Sequence, residues 1–223
     1  MGGFVIAIDG PAGAGKTTLA IGVARRLGFH YLDTGAMYRA ITLKLLKAGI
    51  ISDRSRWMDC LESTALYIST DPSKIEIRLD GEDVTSEIRT LDVDKNVSQV
   101  SADKEIREWM KRRQQEIADG KKIVCEGRDM ATVVFPDAKL KIYLDADSSE
   151  RVRRREKQLV ELGATANTEK VKENIAFRDQ YDSSREVAPL TRADDAMVID
   201  NTQLSITDEI EIVVQEVMGR LAE

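Results

Sequence analysis

Apolar residues fall along this chain in two rhythms. Near-continuous runs at 4–9, 29–32, 123–125, 140–144 and 197–200 have the length and content of buried strands. Between them, apolar positions recur every three or four residues, the spacing of one helical stripe. Leu19, Val23 and Leu27 predict a helix over 17–27 stopped by Gly28. Met37, Ile41 and Leu45 predict another from about 36 to 48, closed by Gly49. Thr90 opens a short helix, and Ile106, Met110 and Ile117 mark a longer one from 101 to 120. Further helices are expected over 149–162 and about 168–184. Ser205-Ile-Thr-Asp208 resembles a capping box for a last one carrying Ile210, Val213, Val217 and Leu221. Strand and helix in alternation imply an α/β fold on a five-stranded parallel sheet, with active groups at the C-terminal strand ends.

One stretch breaks the rhythm. Between about 54 and 90, a short helix around Trp57 and Leu61 leads to an apolar run at 66–69. Ile75, Ile77 and Leu79 then alternate with Glu76 and Arg78, Asp80-Gly81 gives a strong hairpin signal, and Val84 lies on the return strand. Alternation leaves one face wet, so a small antiparallel insertion is expected at the edge of the main sheet.

The first strand runs into Gly10-Pro-Ala-Gly-Ala-Gly15-Lys16-Thr17, which matches G-x-x-x-x-G-K-[ST] between a strand and a helix, where this phosphate-binding loop must lie. Gly10, Pro11, Ala12, Gly13, Ala14 and Gly15 would turn successive N–H groups inward on phosphate oxygens. Lys16 adds a point charge within reach of the β- and γ-phosphates, and the Thr17 hydroxyl is the expected Mg²⁺ ligand. Thr18 follows in the first turn of a helix whose positive end faces the same anion. The chain is therefore expected to bind a nucleoside triphosphate with Mg²⁺.

Composition narrows the partners. The 223 residues carry a net charge of −6 with 42% apolar and 32% charged residues, which suits one domain with a charged surface and argues against nucleic acid as a partner. Cys60 and Cys125 do not resemble a disulfide framework, and Cys125, in an apolar run, reads as a core residue. A single histidine, His30, leaves little material for His-based catalysis or His-rich metal sites. No stretch approaches the ~18 apolar residues of a bilayer span, no basic segment precedes an apolar one at the N-terminus, and Gly2 lacks the Ser or Thr at position 6 that myristoylation needs. A cytoplasmic protein without membrane contact is expected, and no long apolar edge argues against a monomer.

The 33 basic residues then matter by their placement. Arg39 lies one turn into the helix after the second strand, and Arg128 lies just past the third. Arg178, Asp182 and Arg185 are spaced i, i+4, i+7, on one helical face. Such a set suits a second, phosphate-bearing substrate; taken alone, the trio equally fits a surface salt-bridge ladder. Arg151, Arg153, Arg154 and Arg155 crowd a helix N-terminus, which disfavours cations. A lid closing on phosphate beside a mobile break at 163–167 accounts for them, with a solvated face as the bland alternative.

Longer motifs add a family. Ile8-Asp-Gly-Pro-Ala-Gly-Ala-Gly-Lys16, Leu32-Asp-Thr-Gly-Ala-Met-Tyr-Arg39, Gly127-Arg-Asp129, Thr132-Val-Val-Phe-Pro136, Glu150-Arg-Val-Arg-Arg-Arg155, Val187-Ala-Pro-Leu190 and Asp200-Asn-Thr-Gln-Leu-Ser-Ile206 together resemble bacterial-type cytidylate kinase, in order and nearly end to end. The resemblance implies a P-loop nucleoside monophosphate kinase of three layers over 1–223. Its core would be 1–53, 91–148 and 186–223, its monophosphate-binding insertion about 54–90 and its lid about 149–185. It implies transfer of the γ-phosphoryl group of ATP to CMP or dCMP. By position, Thr34, Arg39 and Arg128 resemble contacts to the monophosphate. Ser98, Arg107 and Asp129 resemble readers of the cytosine edge. Arg178 and Asp182 resemble groups around the sugar and the transferring phosphate, and Arg185 a phosphate clamp. Lys16 with the lid residues Arg151 and Arg155 would carry catalysis by stabilising charge on the phosphoryl in flight. Ala131 stands where many members have Gly, and Glu126 where many have Asp, which bears on how a metal-bound water is held.

Two other readings compete. Another small-molecule kinase, acting on UMP, AMP or shikimate, would share the loop, although an unphosphorylated acceptor needs fewer arginines. An ATP-binding regulatory module without turnover would be expected to lack Lys16 or the arginine set, and both are present.

Overall fold

The computed structural model describes residues 3–161 and 167–222. In chain order the elements are β1 (Phe4–Asp9), α1 (Lys16–Leu27), β2 (His30–Asp33), α2 (Thr34–Lys47), α3 (Trp57–Glu62), β3 (Leu66–Ile68), β4 (Ile77–Leu79), β5 (Glu82–Asp83), α4 (Leu91–Ala102), α5 (Lys104–Ala118), β6 (Lys122–Gly127), β7 (Leu140–Asp145), α6 (Ser148–Glu161), α7 (Thr168–Ser184), β8 (Met197–Asp200) and α8 (Ile206–Ala222). Five strands form one parallel sheet in the order β2-β6-β1-β7-β8. Most of the break expected at 163–167 lies outside the described residues.

The sheet is covered on both faces, which is why its strands read as apolar runs rather than as alternation. On one face, Leu19, Val23, Val213 and Val217 of α1 and α8 bury Ile6, Ile8, Ile142 and Leu144. On the other, α2, α4 and α5 contribute Met37, Ile41, Val97 and Met110 over Ala7, Ile123 and Cys125. Three layers result. The Ser205 hydroxyl accepts from Asp208 N at 3.2 Å and lies 2.6 Å from the Asp208 carboxylate, as the capping box predicts. Among the described residues no helix is long and apolar enough to cross a membrane.

Three features refine the sequence reading. The expected small antiparallel insertion forms as a three-stranded sheet, β3-β4-β5, at the edge of the main one. Ile68, Ile77 and Leu79 pack into the cluster that holds Met37, Ile41 and Leu45, so burial against α2 fixes its position. A hydrogen bond from Tyr31 N to Thr70 O, 2.9 Å, ties it to edge strand β2. Second, the break between α4 and α5 falls at Asp103, not Ser101. The Asp103 carboxylate accepts from Glu105 N at 2.9 Å and Ile106 N at 3.0 Å, and this N-cap outweighs the weaker serine signal. Third, Met130–Val134 is one turn of π-helix, with Phe135 N donating to Met130 O at 2.7 Å.

The π-turn is held by an unforeseen group. Asp9 ends β1, 1% exposed, and its two carboxylate oxygens accept from Met130 N at 2.8 Å and Ala131 N at 2.7 Å. Burial raises its pKa from 3.8 to about 6, against the pull of those two N–H groups. A carboxyl raised on folding lends stability that is complete below about pH 4 and lost as pH climbs to about 6, on the order of 3 kcal/mol in all. Urea titrations of the wild type should therefore show a fall in stability across that window that Asp9→Asn lacks. Parallel pH profiles would mean that another group titrates.

Candidate active site

The parallel strands deliver β1, β2 and β6 to one end of the sheet, where a cleft of about 500 Å³ opens. The loop after β1 needs its glycines for stated reasons. Gly10 has φ 155°, and a Cβ there would stand 2.1 Å from Leu144 O. At Gly13, φ 78°, a Cβ would meet Arg151 O at 3.0 Å, so the first turn of α6 sits directly on the loop. Ala12, Gly13, Gly15, Lys16, Thr17 and Thr18 line the cleft. Gly10, Pro11 and Ala14 work from behind. The carbonyls of Gly10 and Pro11 each accept from Lys16 Nζ at 2.8 Å, and Ala14 O accepts from Asn201 Nδ2 at 2.9 Å. Burial, then the Arg128 guanidinium, lowers the Lys16 pKa well below its ordinary value.

Facing the loop, α2, α7 and the segment after β6 contribute cations. Thr34, at the start of α2, donates through its hydroxyl to Glu126 O at 2.6 Å. Arg39 Nη1 pairs with Asp94 Oδ1 at 2.7 Å, and Arg128 Nε donates to Asp182 Oδ2 at 2.9 Å. Arg178 lines the same cleft and, among the described residues, has neither a hydrogen bond nor an ion pair. Burial, and then Arg128 and Arg39, push its pKa down to about 10. A guanidinium held against two others, with Asp182 and Asp94 near it but neither paired to it, suits an external polyanion.

Deeper in the cleft is a small buried network. Arg107 pairs with Asp129, donates to Ser101 O at 2.8 Å and lies 5.6 Å over the Tyr38 ring. Arg185 Nη2 lies 3.9 Å from Asp129 Oδ1 and has no hydrogen-bond partner among the described residues. Ser98 and Tyr38 line the same end. The trio Arg178, Asp182, Arg185 does converge, though not on one helical face. Helix α7 stops at Ser184, and Arg185 is its extended C-cap, fixed by Nε donating to Ala188 O at 2.6 Å.

The four arginines of α6 separate. Arg151 does not line the cleft. Its Nη1 donates to Ala12 O at 3.1 Å and pairs with Asp179 at 2.5 Å, while Nε donates to Ala146 O at 3.1 Å. It stitches α6 and α7 to the loop. Arg153 pairs with Glu150 on a solvated face, and that pairing, with Arg154, pushes the Glu150 pKa down to about 2. Arg154 and Arg155 are the two that face the cleft. Arg154 also donates to Ala14 O at 3.2 Å and Asn201 Oδ1 at 2.9 Å. Glu150, three and four residues from Arg153 and Arg154, explains how so many cations tolerate a helix N-terminus.

Among the described residues no cluster of three or more His, Cys, Asp or Glu could hold a metal. The donors that do meet are the Thr17 hydroxyl and the buried Glu126 carboxyl, which also accepts from Tyr31 OH at 2.6 Å. Burial, then Asp33, raises the Glu126 pKa to about 7. Mg²⁺ retains most of its waters and takes few protein ligands beside phosphate oxygens, so a hydroxyl beside a carboxylate suits it.

Sequence reading gave no role to Asp9, Tyr38, Asp94, Asp179 or Asn201, and took Arg154 only as one of four crowded arginines. Asp9, Tyr38 and Asn201 lay within quoted motifs. Asp9, Asp94, Asp179 and Asn201 act through partners 28 to 187 residues away in the chain, for which no local signal exists.

Comparison with known proteins places this geometry. A family model described as cytidylate kinase matches residues 6–219. A cytidylate kinase of Shouchella clausii is 45% identical over 212 residues, covering 95% of this chain and 94% of the relative. One from Caldanaerobacter subterraneus is 46% identical over 213 residues, covering 95% and 93%. A crystal structure of an uncharacterized protein from Eubacterium ventriosum is alike in fold alone, with a TM-score of 0.50 at 9% identity over 96% of this chain and 98% of that one.

Proposed function

The chain belongs to the cytidylate kinase family, and on that premise we propose that it transfers the γ-phosphoryl group of ATP to CMP or dCMP, giving ADP and the diphosphate. The observation that carries this reading is Arg178, without a hydrogen bond or ion pair among the described residues, set among Lys16, Arg39 and Arg128. One phosphate-binding loop serves one triphosphate. The additional cations on α2, β6 and α7 serve a second anion opposite it.

In this reading the loop amides and Lys16 hold the β- and γ-phosphates, while Thr34, Arg39 and Arg128 hold the acceptor phosphate in line with them. Phosphoryl transfer needs positioning and charge neutralisation more than covalent help. Lys16 exchanges its two carbonyl partners for phosphate oxygens, and Arg155 and Arg178 face the moving charge. Arg151 supports the loop from behind. Thr17, with Glu126 behind it, would hold Mg²⁺, which would further neutralise the phosphate oxygens. Arg185, Ser98, Arg107 and Asp129 face the nucleoside. Helices α6 and α7, which share a small apolar cluster of Val152, Val171 and Ile175 apart from the main core, act as the lid. Segment 54–90 serves the acceptor side. A cytoplasmic monomer acting in pyrimidine nucleotide metabolism completes the reading.

A panel of CMP, dCMP, UMP, AMP and shikimate, assayed by ADP release, tests it. CMP and dCMP should have the highest kcat/KM, and preference for any other acceptor would overturn the assignment. Arg39→Ala and Arg128→Ala should each raise KM for CMP about tenfold or more, the value of a charge-assisted hydrogen bond, and leave KM for ATP within about twofold. Equal effects on both substrates would assign these arginines to the lid or the scaffold instead.

A further inference from the structure

Asp94, on α4, is bound on both sides. Its Oδ1 lies 2.7 Å from Arg39 Nη1 and its Oδ2 3.1 Å from Arg155 Nη2. Arg39 stands on α2, in the wall assigned to the acceptor phosphate, and Arg155 on α6, in the lid. One carboxylate therefore joins the two walls. The side from which it does so decides its effect. Arg39 and Arg155 line the main cleft, but Asp94 does not; it lines a second cavity of about 420 Å³ that meets the first at these arginines. The carboxylate therefore reaches both guanidinium groups from the side of that second cavity. A carboxylate inside the cleft would compete with phosphate, whereas one behind it orients donors toward phosphate.

We propose that Asp94 is a positioning residue that clasps Arg39 to Arg155 and so couples lid closure to the acceptor arm. The inference rests on the kinase reading above. Without the carboxylate, two like charges face each other across the mouth of the cleft, with Arg89 adding a third, and burial already disfavours the charged form of Arg155. The lid then loses its hold on the acceptor wall. Water enters, and ATP is spent without transfer. Arg155 has a second partner, Gln158 Oε1 at 2.6 Å, and Arg39 has Ile88 O at 3.4 Å, so both side chains stay ordered after the loss but are no longer linked.

The test compares Asp94→Asn and Asp94→Glu with the wild type, scoring ADP and CDP separately with CMP present. Asp94→Asn should raise KM for CMP about three- to tenfold and raise the ADP-to-CDP ratio at least about threefold. Asp94→Glu should restore most of both, and melting temperatures should stay close to the wild type. An unchanged product ratio, or a lower KM for CMP, would overturn the clasp while wild-type turnover of CMP upholds the kinase reading. A wild type that does not phosphorylate CMP would overturn that reading itself. If Asp94→Asn melts early but keeps the wild-type product ratio below its melting temperature, the residue is structural and the clasp is likewise overturned.

Discussion

Lys16→Ala is expected to lower kcat by about a hundredfold or more while KM for CMP changes little. The side chain is 6% exposed, and among the described residues its ammonium donates to two backbone carbonyls. Burial and Arg128 work against its charge, and bound phosphates would offset them. The interaction is strongest where negative charge is greatest, so its loss falls on the transition state, on the order of 3 kcal/mol. Stability should move the other way. A lysine whose pKa is depressed on folding opposes folding where it is charged, so the variant should melt no lower than the wild type at neutral pH. Steady-state kinetics with a thermal melt checks both, and turnover within about threefold of wild type would remove Lys16 from the chemistry.

Asp129→Ala should have the largest effect on stability. Asp129 is buried, pairs with Arg107 and faces Arg185, whose side chain is 5% exposed. Removing the carboxylate strands two buried cations, which costs about 3–5 kcal/mol, or on the order of 10 °C in Tm for a chain of this size. If Asp129 also accepts from the exocyclic amine of cytosine, its loss should cut kcat/KM for CMP while UMP holds or gains. Uracil presents a carbonyl at that place, and a buried clash of acceptors is worth about 5- to 150-fold. Lower melting alone therefore does not distinguish a base reader from a structural aspartate, because this residue is placed to be both. The CMP-to-UMP ratio, measured well below the melting temperature, does distinguish them. An unchanged ratio would leave Asp129 as the counter-ion of Arg107 and Arg185 only.

Legibility tracks the range of the interactions. The phosphate-binding loop can be read because its function is written in consecutive residues: glycines free to take positive φ, then Lys16 and Thr17 at the head of a helix. Helices α1 and α2 announce themselves through periodicity, and strands β1, β7 and β8 through short apolar runs. The boundary between α4 and α5 is misplaced by sequence because Ser101 and Asp103 both carry capping chemistry. Only the fold shows that Asp103 reaches the free N–H groups. The π-turn at 130–134 depends on Asp9, more than 120 residues earlier, and no window along the chain contains both.

The arginines show the same division. Their number and their crowding near strand ends are plain in the sequence, and so is the inference that a second anion must explain them. The role of each individual arginine is set by packing. Arg151 and Arg155 are four residues apart on α6 and indistinguishable by sequence, yet one turns under the loop to Ala12 O and the other into the cleft beside Asp94. By itself the sequence determined the parallel α/β core, the triphosphate loop and the family, because each is encoded by local pattern or by long runs of matched residues. Tertiary structure alone decided how the insertion docks on α2 and β2, the carboxylates of Asp9, Asp94 and Asp179 that hold the site together, and which arginines of α6 face the cleft. A buried charge takes its partner from whatever the fold brings within hydrogen-bond distance, and that partner has no fixed offset in the chain.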